Sequence, residues 1–145
     1  MKKGKKIDGL KAATEMLQGL DLAAQQSLLA DIARRDPEMA VKLKQRLVTF
    51  DDLQYLTVSM MKRLLQDIDL DVLGLALRGV NKELSEHLLN MFSTNMRRDV
   101  EEILKGKPRS LNDVLEAQRK IMEVVMKLKE KGEIILSKEK SEKTV

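Results

Sequence analysis

The sequence predicts an all-α protein: an armadillo-like helical repeat module followed by a second multi-helix module. Three observations carry this. The 145 residues are rich in leucine and contain nine Met, but only two Phe, one Tyr and no Trp, so a core must be filled by helix-compatible side chains, not by strand-type aromatics. Cap-type residues precede apolar-periodic runs along most of the chain. A 36-residue offset relates three stretches of it.

The helices can be justified in order. Residues 9–20 lead to Asp21, a cap-type residue. Asp36-Pro37-Glu38 is an N-cap followed by proline at the first helical position, and Met39, Leu43 and Leu47 recur at i, i+4. Thr49, Thr57 and Asn81 each stand ahead of a short apolar-periodic run. Lys105-Gly106-Lys107-Pro108 interrupts the pattern, and Ser110 with Asp113 forms a capping-box signature opening the longest helix, which should run to about Lys131 and stop at Gly132. Its apolar stripe is Val114, Ile121, Val125 and Leu128, with Leu115 and Met122 alongside, and Ile134 to Leu136 should dock after it.

The repeat supports the same class. Leu17-Gln18-Gly19-Leu20 recurs as Leu53-Gln54-Tyr55-Leu56, and Leu28-Leu29-Ala30-Asp31-Ile32 as Leu64-Leu65-Gln66-Asp67-Ile68. Asp21, Thr57 and Ser93 keep the same 36-residue step. A third copy is fainter: Leu89, Phe92 and Leu104 match, whereas Val100 and Glu101 occupy the place of a leucine pair. Helical units of this period stack as α-solenoids, each burying its apolar face on the next. The expected division is a basic tail at 1–8, an armadillo-like module at 9–48, a second helical module at 49–136 and a tail at 137–145, with both tails disordered because they are short, charged and without apolar anchors.

Composition narrows function. The net charge of +4 and pI near 9.3 come from the ends, since residues 1–7 carry +4, residues 137–145 carry +1 and the body is slightly acidic. A nucleic-acid surface would concentrate cations and stacking aromatics on one folded face, so no nucleic acid is expected as a partner. No cysteine fits a reducing cytoplasm. No apolar run is long enough to cross a bilayer, and Lys11, Glu15 and Gln18 interrupt what would be a leader's apolar region, so neither membrane insertion nor export is expected. His87 is the single histidine. Asp67-Ile68-Asp69-Leu70-Asp71 resembles half a calcium loop, but Val72 and Arg78 stand where Gly and Glu would be needed. With no phosphate-cradling glycine loop and no triad either, the chain is expected to be no enzyme and to need no metal or cofactor. One charged constellation remains. Phe92, Met96, Val100, Ile103 and Leu104 make an apolar face, leaving Arg97, Arg98, Glu101 and Glu102 on the other.

The order of segments resembles the C-terminal domain of the flagellar motor switch protein FliG. Gly9 to Asp21, Asp36 to Ala40 and Arg46 to Asp52 look like that family's armadillo module leading into its Met-Phe-X-Phe hinge, here Leu47, Val48, Thr49 and Phe50, with Leu47 and Thr49 altered. Leu64 to Asp69, Ala76 to Gly79, Asn112 to Gln118 and Gly132 to Ile135 follow the family in sequence. The resemblance implies a rotor domain at the cytoplasmic side of the flagellar basal body that meets the stator's cytoplasmic loop through a charged helix. By similarity Arg78 takes the place of a basic residue in Ala-Leu-Lys-Gly, and Glu101 with Glu102 that of an acidic pair. The family's second Arg falls on Asn95, with Arg97, Arg98 and Arg109 as nearby substitutes. Other implied partners are FliM, the middle domain of another FliG-type subunit, or a second copy. Because the family's N-terminal and middle domains have no counterpart here, an outer apolar surface drawn from Leu10, Ala13, Leu17, Leu22 and Leu29 is expected to stay partly exposed. The alternative is an adaptor that keeps the fold and binds another helical protein.

Overall fold

The computed structural model describes residues 2–136, with side chains from residue 9 onward. The tail expected at 137–145 lies outside the described residues; of that expected at 1–8 only the backbone of 2–8 is described, as the beginning of the first helix. The elements are α1 (Lys2–Gln18), α2 (Leu22–Arg35), α3 (Pro37–Arg46), a 3₁₀ helix (Phe50–Tyr55), α4 (Val58–Leu65), α5 (Leu70–Leu77), α6 (Lys82–Leu89), α7 (Thr94–Leu104) and α8 (Leu111–Glu130). No strand occurs among the described residues. The chain divides into two compact units, Met1–Val48 and Thr49–Val145.

The three residues spaced by 36 are all N-caps. Asp21 Oδ1 accepts from the Ala24 amide at 2.8 Å, Thr57 Oγ1 from Met60 at 3.1 Å and Ser93 Oγ from Met96 at 3.3 Å, each satisfying one of the amides a helix start leaves open. Each cap sits between the first and second members of a helix triplet: α1, α2 and α3; the 3₁₀ helix, α4 and α5; α6, α7 and α8. Leu17, Leu53 and Leu89, at the same step, are all buried. Four residues past each cap the repeat holds Gln25, Met61 and Arg97; the first two are buried and the third is half-buried.

Unit 1 is closed by Leu17, Leu29, Leu43 and Leu47, with Leu10, Ala13, Leu20, Leu28, Ile32 and Met39 packed around them. Each leucine removed from water contributes up to about 2 kcal/mol. Leu17 and Leu29 therefore do not belong to an outer apolar surface as expected; a helix triplet needs its innermost leucines for its own core. Leu22 is exposed as expected, and Met16 and Val41 are exposed beside those named from the sequence.

Unit 2 is built around α5. Its sequence Leu-Asp-Val-Leu-Gly-Leu-Ala-Leu is apolar on nearly every side, and it packs between α7 and α8. Gly74 makes the α7 contact possible: a Cβ there would lie 2.6 Å from Ile103 Cβ. From α8, Val114, Ala117, Ile121, Met122, Val125 and Leu128 are buried, and so is Gln118, which donates to the Ala76 carbonyl at 3.0 Å. A buried Gln is stable there because its amide nitrogen finds a second place on the Ala76 carbonyl, which already accepts from the Gly79 amide. The Ser110 cap forms as expected, accepting from the Asp113 amide, but the Asp113 carboxylate turns to Arg109 at 3.2 Å. At the far end Gly132 has φ +75°, and the Gly132 and Glu133 amides donate back to Lys129 and Leu128, a Schellman closure that needs the left-handed conformation glycine tolerates. Ile134 and Leu136 are then buried, while Glu133 bonds Arg63 of α4 through both carboxylate oxygens at 3.3 Å. Asp67 to Asp69 form the α4–α5 turn, where Asp67 pairs with Arg63.

Helix propensity alone would favour Gly74→Ala by about 1 kcal/mol. The missing space beside Ile103 should reverse the sign, and we expect a net loss of about 1–3 kcal/mol, measured by urea unfolding of unit 2. An unchanged or raised midpoint would mean that α5 and α7 do not approach this closely.

Candidate interaction surface

Helix α7 turns Val100 fully inward and half-buries Met96, Ile103 and Leu104, so its charged side faces water. The sequence groups Arg97, Arg98, Glu101 and Glu102 as one exposed ridge. The structure separates them. Arg97 is only 32% exposed and makes three bonds: Nε to Glu101 Oε1 at 2.7 Å, one terminal nitrogen to Asn90 Oδ1 at 2.6 Å, the other to Glu86 Oε2 at 3.0 Å. Asn90 caps the end of α6, and Glu86 lies on α6. The Arg97 pKa is raised above the usual arginine value, chiefly by hydrogen bonding to Glu101 and against partial desolvation, with Glu86 adding to the rise. Arg97 and Glu101 thus form a bracket between α6 and α7, as does Gln25 in unit 1, whose Nε2 donates to the Leu17 carbonyl of α1 at 3.0 Å.

Arg78 is also engaged inside the unit. It follows α5, and its two terminal nitrogens donate to the Lys107 carbonyl at 2.6 Å and the Ile103 carbonyl at 2.7 Å. These carbonyls belong to the end of α7 and the loop beyond; the Ile103 carbonyl also accepts from the Gly106 amide, and a guanidinium placed there opposes the negative end of the helix dipole. Its Nε is buried without a partner, so the two carbonyl bonds must offset that cost. Gly106 leaves room for this brace, with an added Cβ only 3.2 Å from an Arg78 terminal nitrogen. Arg109 is half-exposed and pairs with Asp113.

Arg98 and Glu102 are exposed and make no ion pair among the described residues. Together with Thr94, Arg97, Glu101 and Lys105 they line a shallow groove along α7. In sequence Lys105 belongs to the segment that interrupts the helical pattern and is not grouped with the charges of α7; its i+3 spacing from Glu102 and i+7 from Arg98 is the signal that could group it. Asn95 is exposed and uncharged. Around His87 the surroundings are local: its Nε2 lies 2.9 Å from the Gln54 carbonyl.

The segment Leu47 to Phe50 joins the two units. Leu47, which belongs to the unit 1 core, Val48 and Phe50 are all buried. Gln18 holds Val48 by both backbone groups, Nε2 donating to the Val48 carbonyl at 2.6 Å and Oε1 accepting from its amide at 2.9 Å. On the other side the Thr49 amide donates to Asp52 Oδ2 at 2.9 Å. No local pattern marks Gln18 for this role, since only the fold brings it beside a residue 30 positions away.

A model of the FliG C-terminal domain matches residues 30–136. The chain belongs to this family. It is 32% identical over 131 residues to the flagellar motor switch protein FliG of Bacillus subtilis, covering 90% of this chain and 39% of that protein. With the protein of the same name from Thermotoga maritima it shares 30% over 138 residues, covering 92% and 40%. Among solved structures it is similar to residues 86–343 of Helicobacter pylori FliG, with a TM-score of 0.67, 33% identity and coverage of 86% of this chain and 59% of that one. The chain thus spans about two fifths of the length of the curated FliG relatives it matches. Within unit 2, Arg78 and Glu101 are bonded internally, whereas Glu102 makes no ion pair among the described residues.

Two expectations follow. Arg97→Ala should lower the thermal midpoint of unit 2 clearly more than Arg98→Ala, because only Arg97 ties α6 to α7; equal effects in calorimetry would refute the bracket. Gln18→Ala should cost about 1–3 kcal/mol by leaving two buried-side backbone groups of Val48 unanswered and should speed hydrogen exchange at the Val48 amide. Unaltered exchange would show that the latch does not hold in solution.

Proposed function

We propose that this chain acts as a flagellar rotor-type interaction domain whose second unit meets a stator-type partner through the outward side of α7. One observation carries the reading: α7 is fixed from behind by the Gly74 contact and the Arg78 brace, while Arg98 and Glu102 are left without internal partners. Exposed charge pairs are worth about 0.2–1 kcal/mol each and are screened by salt. Such a contact steers and registers a partner without the burial that would arrest relative movement. Among the described residues no helix is long and apolar enough to cross a membrane, which is compatible with a peripheral place at the cytoplasmic side of the basal body.

Unit 1 has a separate part in this reading. Its exposed Met16, Leu22 and Val41 suit docking of a helical module such as the middle domain of a FliG-type subunit, since solenoid modules bury apolar faces on their neighbours; FliM or a second copy would use similar chemistry.

Glu102→Lys tests the α7 contact. The residue is exposed and unpaired, so stability should change by no more than about 0.5 kcal/mol, whereas swimming of a motile strain carrying the variant should slow, with partial recovery on reversing a charge in the stator loop. Glu101→Lys is the poorer probe because it also breaks the Arg97 bracket. Normal swimming with a folded Glu102→Lys chain would reject the motor contact and leave the adaptor reading.

A further inference from the structure

The net charge of the chain is gathered in one place. Residues 1–7 carry +4, which equals the net charge of all 145 residues, and Lys2, Lys3, Lys5 and Lys6 supply it. They fall at the start of α1, and its first turn holds no acidic residue to balance them. Helical register relates them to the core of unit 1. The inward stripe of α1 is Leu10, Ala13 and Leu17; Leu17 is fully buried, Ala13 and Leu10 are only partly so, and a Cβ added at Gly9 would meet open space. Continued upstream at the same steps of three and four, the stripe falls on Lys6 and Lys3. Helix α1 thus leaves its core near residue 9, and positions that would be apolar if a further protein module packed on them are lysine, whose charge is costly to bury.

We propose that the lysine-bearing start of α1 adsorbs to an anionic membrane surface, holding unit 1 against lipid headgroups without inserting into the bilayer. The inference is independent of the α7 contact. Clusters of about four to eight basic residues on a helix are of the size that an anionic leaflet attracts. All four residues are Lys, and ammonium groups on flexible stems answer a diffuse negative charge without the fixed fork by which Arg recognises one carboxylate or phosphate. No aromatic residue precedes Phe50, so no stacking group stands beside the lysines to hold a single-stranded nucleic acid. The cations lie at one end of one helix, not in a stripe that could follow the successive phosphates of a duplex. Among the described residues no helix is long and apolar enough to cross a membrane; the attachment is electrostatic, reversible and weakened by salt.

The test uses the full chain and lipid vesicles, one set of phosphatidylcholine alone and one of phosphatidylcholine and phosphatidylglycerol in equal parts, with bound protein measured by co-sedimentation at low and at high salt. Retention on the anionic set at low salt, release at high salt and no retention on the neutral set are expected. Replacing Lys2, Lys3, Lys5 and Lys6 together by Gln should weaken binding roughly hundred- to thousand-fold, with an unchanged circular-dichroism melt because these residues precede the unit 1 core. Lys5→Gln with Lys6→Gln should cost more than about tenfold, whereas Lys42→Gln with Lys44→Gln, two exposed lysines of α3, should cost no more than about threefold. No retention on the anionic vesicles, or equal losses from the two pairs, would overturn the proposal. So would displacement by inorganic phosphate beyond that by chloride of the same ionic strength, which would reveal a discrete phosphate site in place of a lipid surface. Tighter binding to a single-stranded RNA than to the anionic vesicles, lost in the four-lysine variant, would overturn it in favour of a nucleic acid.

Discussion

A short helix that is apolar on nearly all sides must be enclosed, and the enclosure of α5 governs the rest of unit 2. Leu73, Ala76 and Leu77 are buried, and each side of α5 open to water would forfeit that burial. Its neighbours come close because two glycines allow it: Gly74 toward Ile103 of α7, and Gly79, just past the helix end, toward Val114 and Gln118 of α8. Close approach also sets polar groups beside the end of α5, whose last carbonyls are turned back on the following amides. Gln118 adds a donor from α8 to one of them. Arg78, leaving α5, does the same service for α7.

Charge on α7 follows from that packing. Once Val100 and Ile103 are committed to α5, helical periodicity sends the positions between them toward α6 or toward water. Arg97 reaches α6 and bonds to it, with Glu101 held to Arg97 on the same helix; Arg98, Glu102 and Lys105 make no ion pair among the described residues. A stiffly held helix with a few unpaired charges is a suitable platform for a weak contact, because the ordering cost of the helix itself has been met by the core.

The repeat shows how one plan accommodates different chemistry. At the position four past each cap, Gln25 bonds a carbonyl of α1, Met61 is buried outright and Arg97 bonds the cap and a carboxylate of α6. An arginine can occupy a place that is apolar elsewhere because its stem packs while its head finds fixed acceptors.

Much of this was legible in the residues. Helix starts were, since Asp21, Asp36, Thr57, Asn81, Ser93 and Ser110 announce themselves by chemistry that acts within three positions. So were the all-α class and the triplet step, because leucine spacing and caps are local signals. Tertiary structure alone decided which charges are free: Arg78 and Arg98 look alike in sequence, yet one is bonded to carbonyls 25 and 29 positions away and the other to nothing. It also decided that Leu17 and Leu29 are core while Met16 is surface, and that Gln18 fixes Val48. The physical reason is the same in each case. Periodicity says which face of a helix is apolar, but which polar groups are satisfied depends on acceptors and donors brought near by packing from distant parts of the chain.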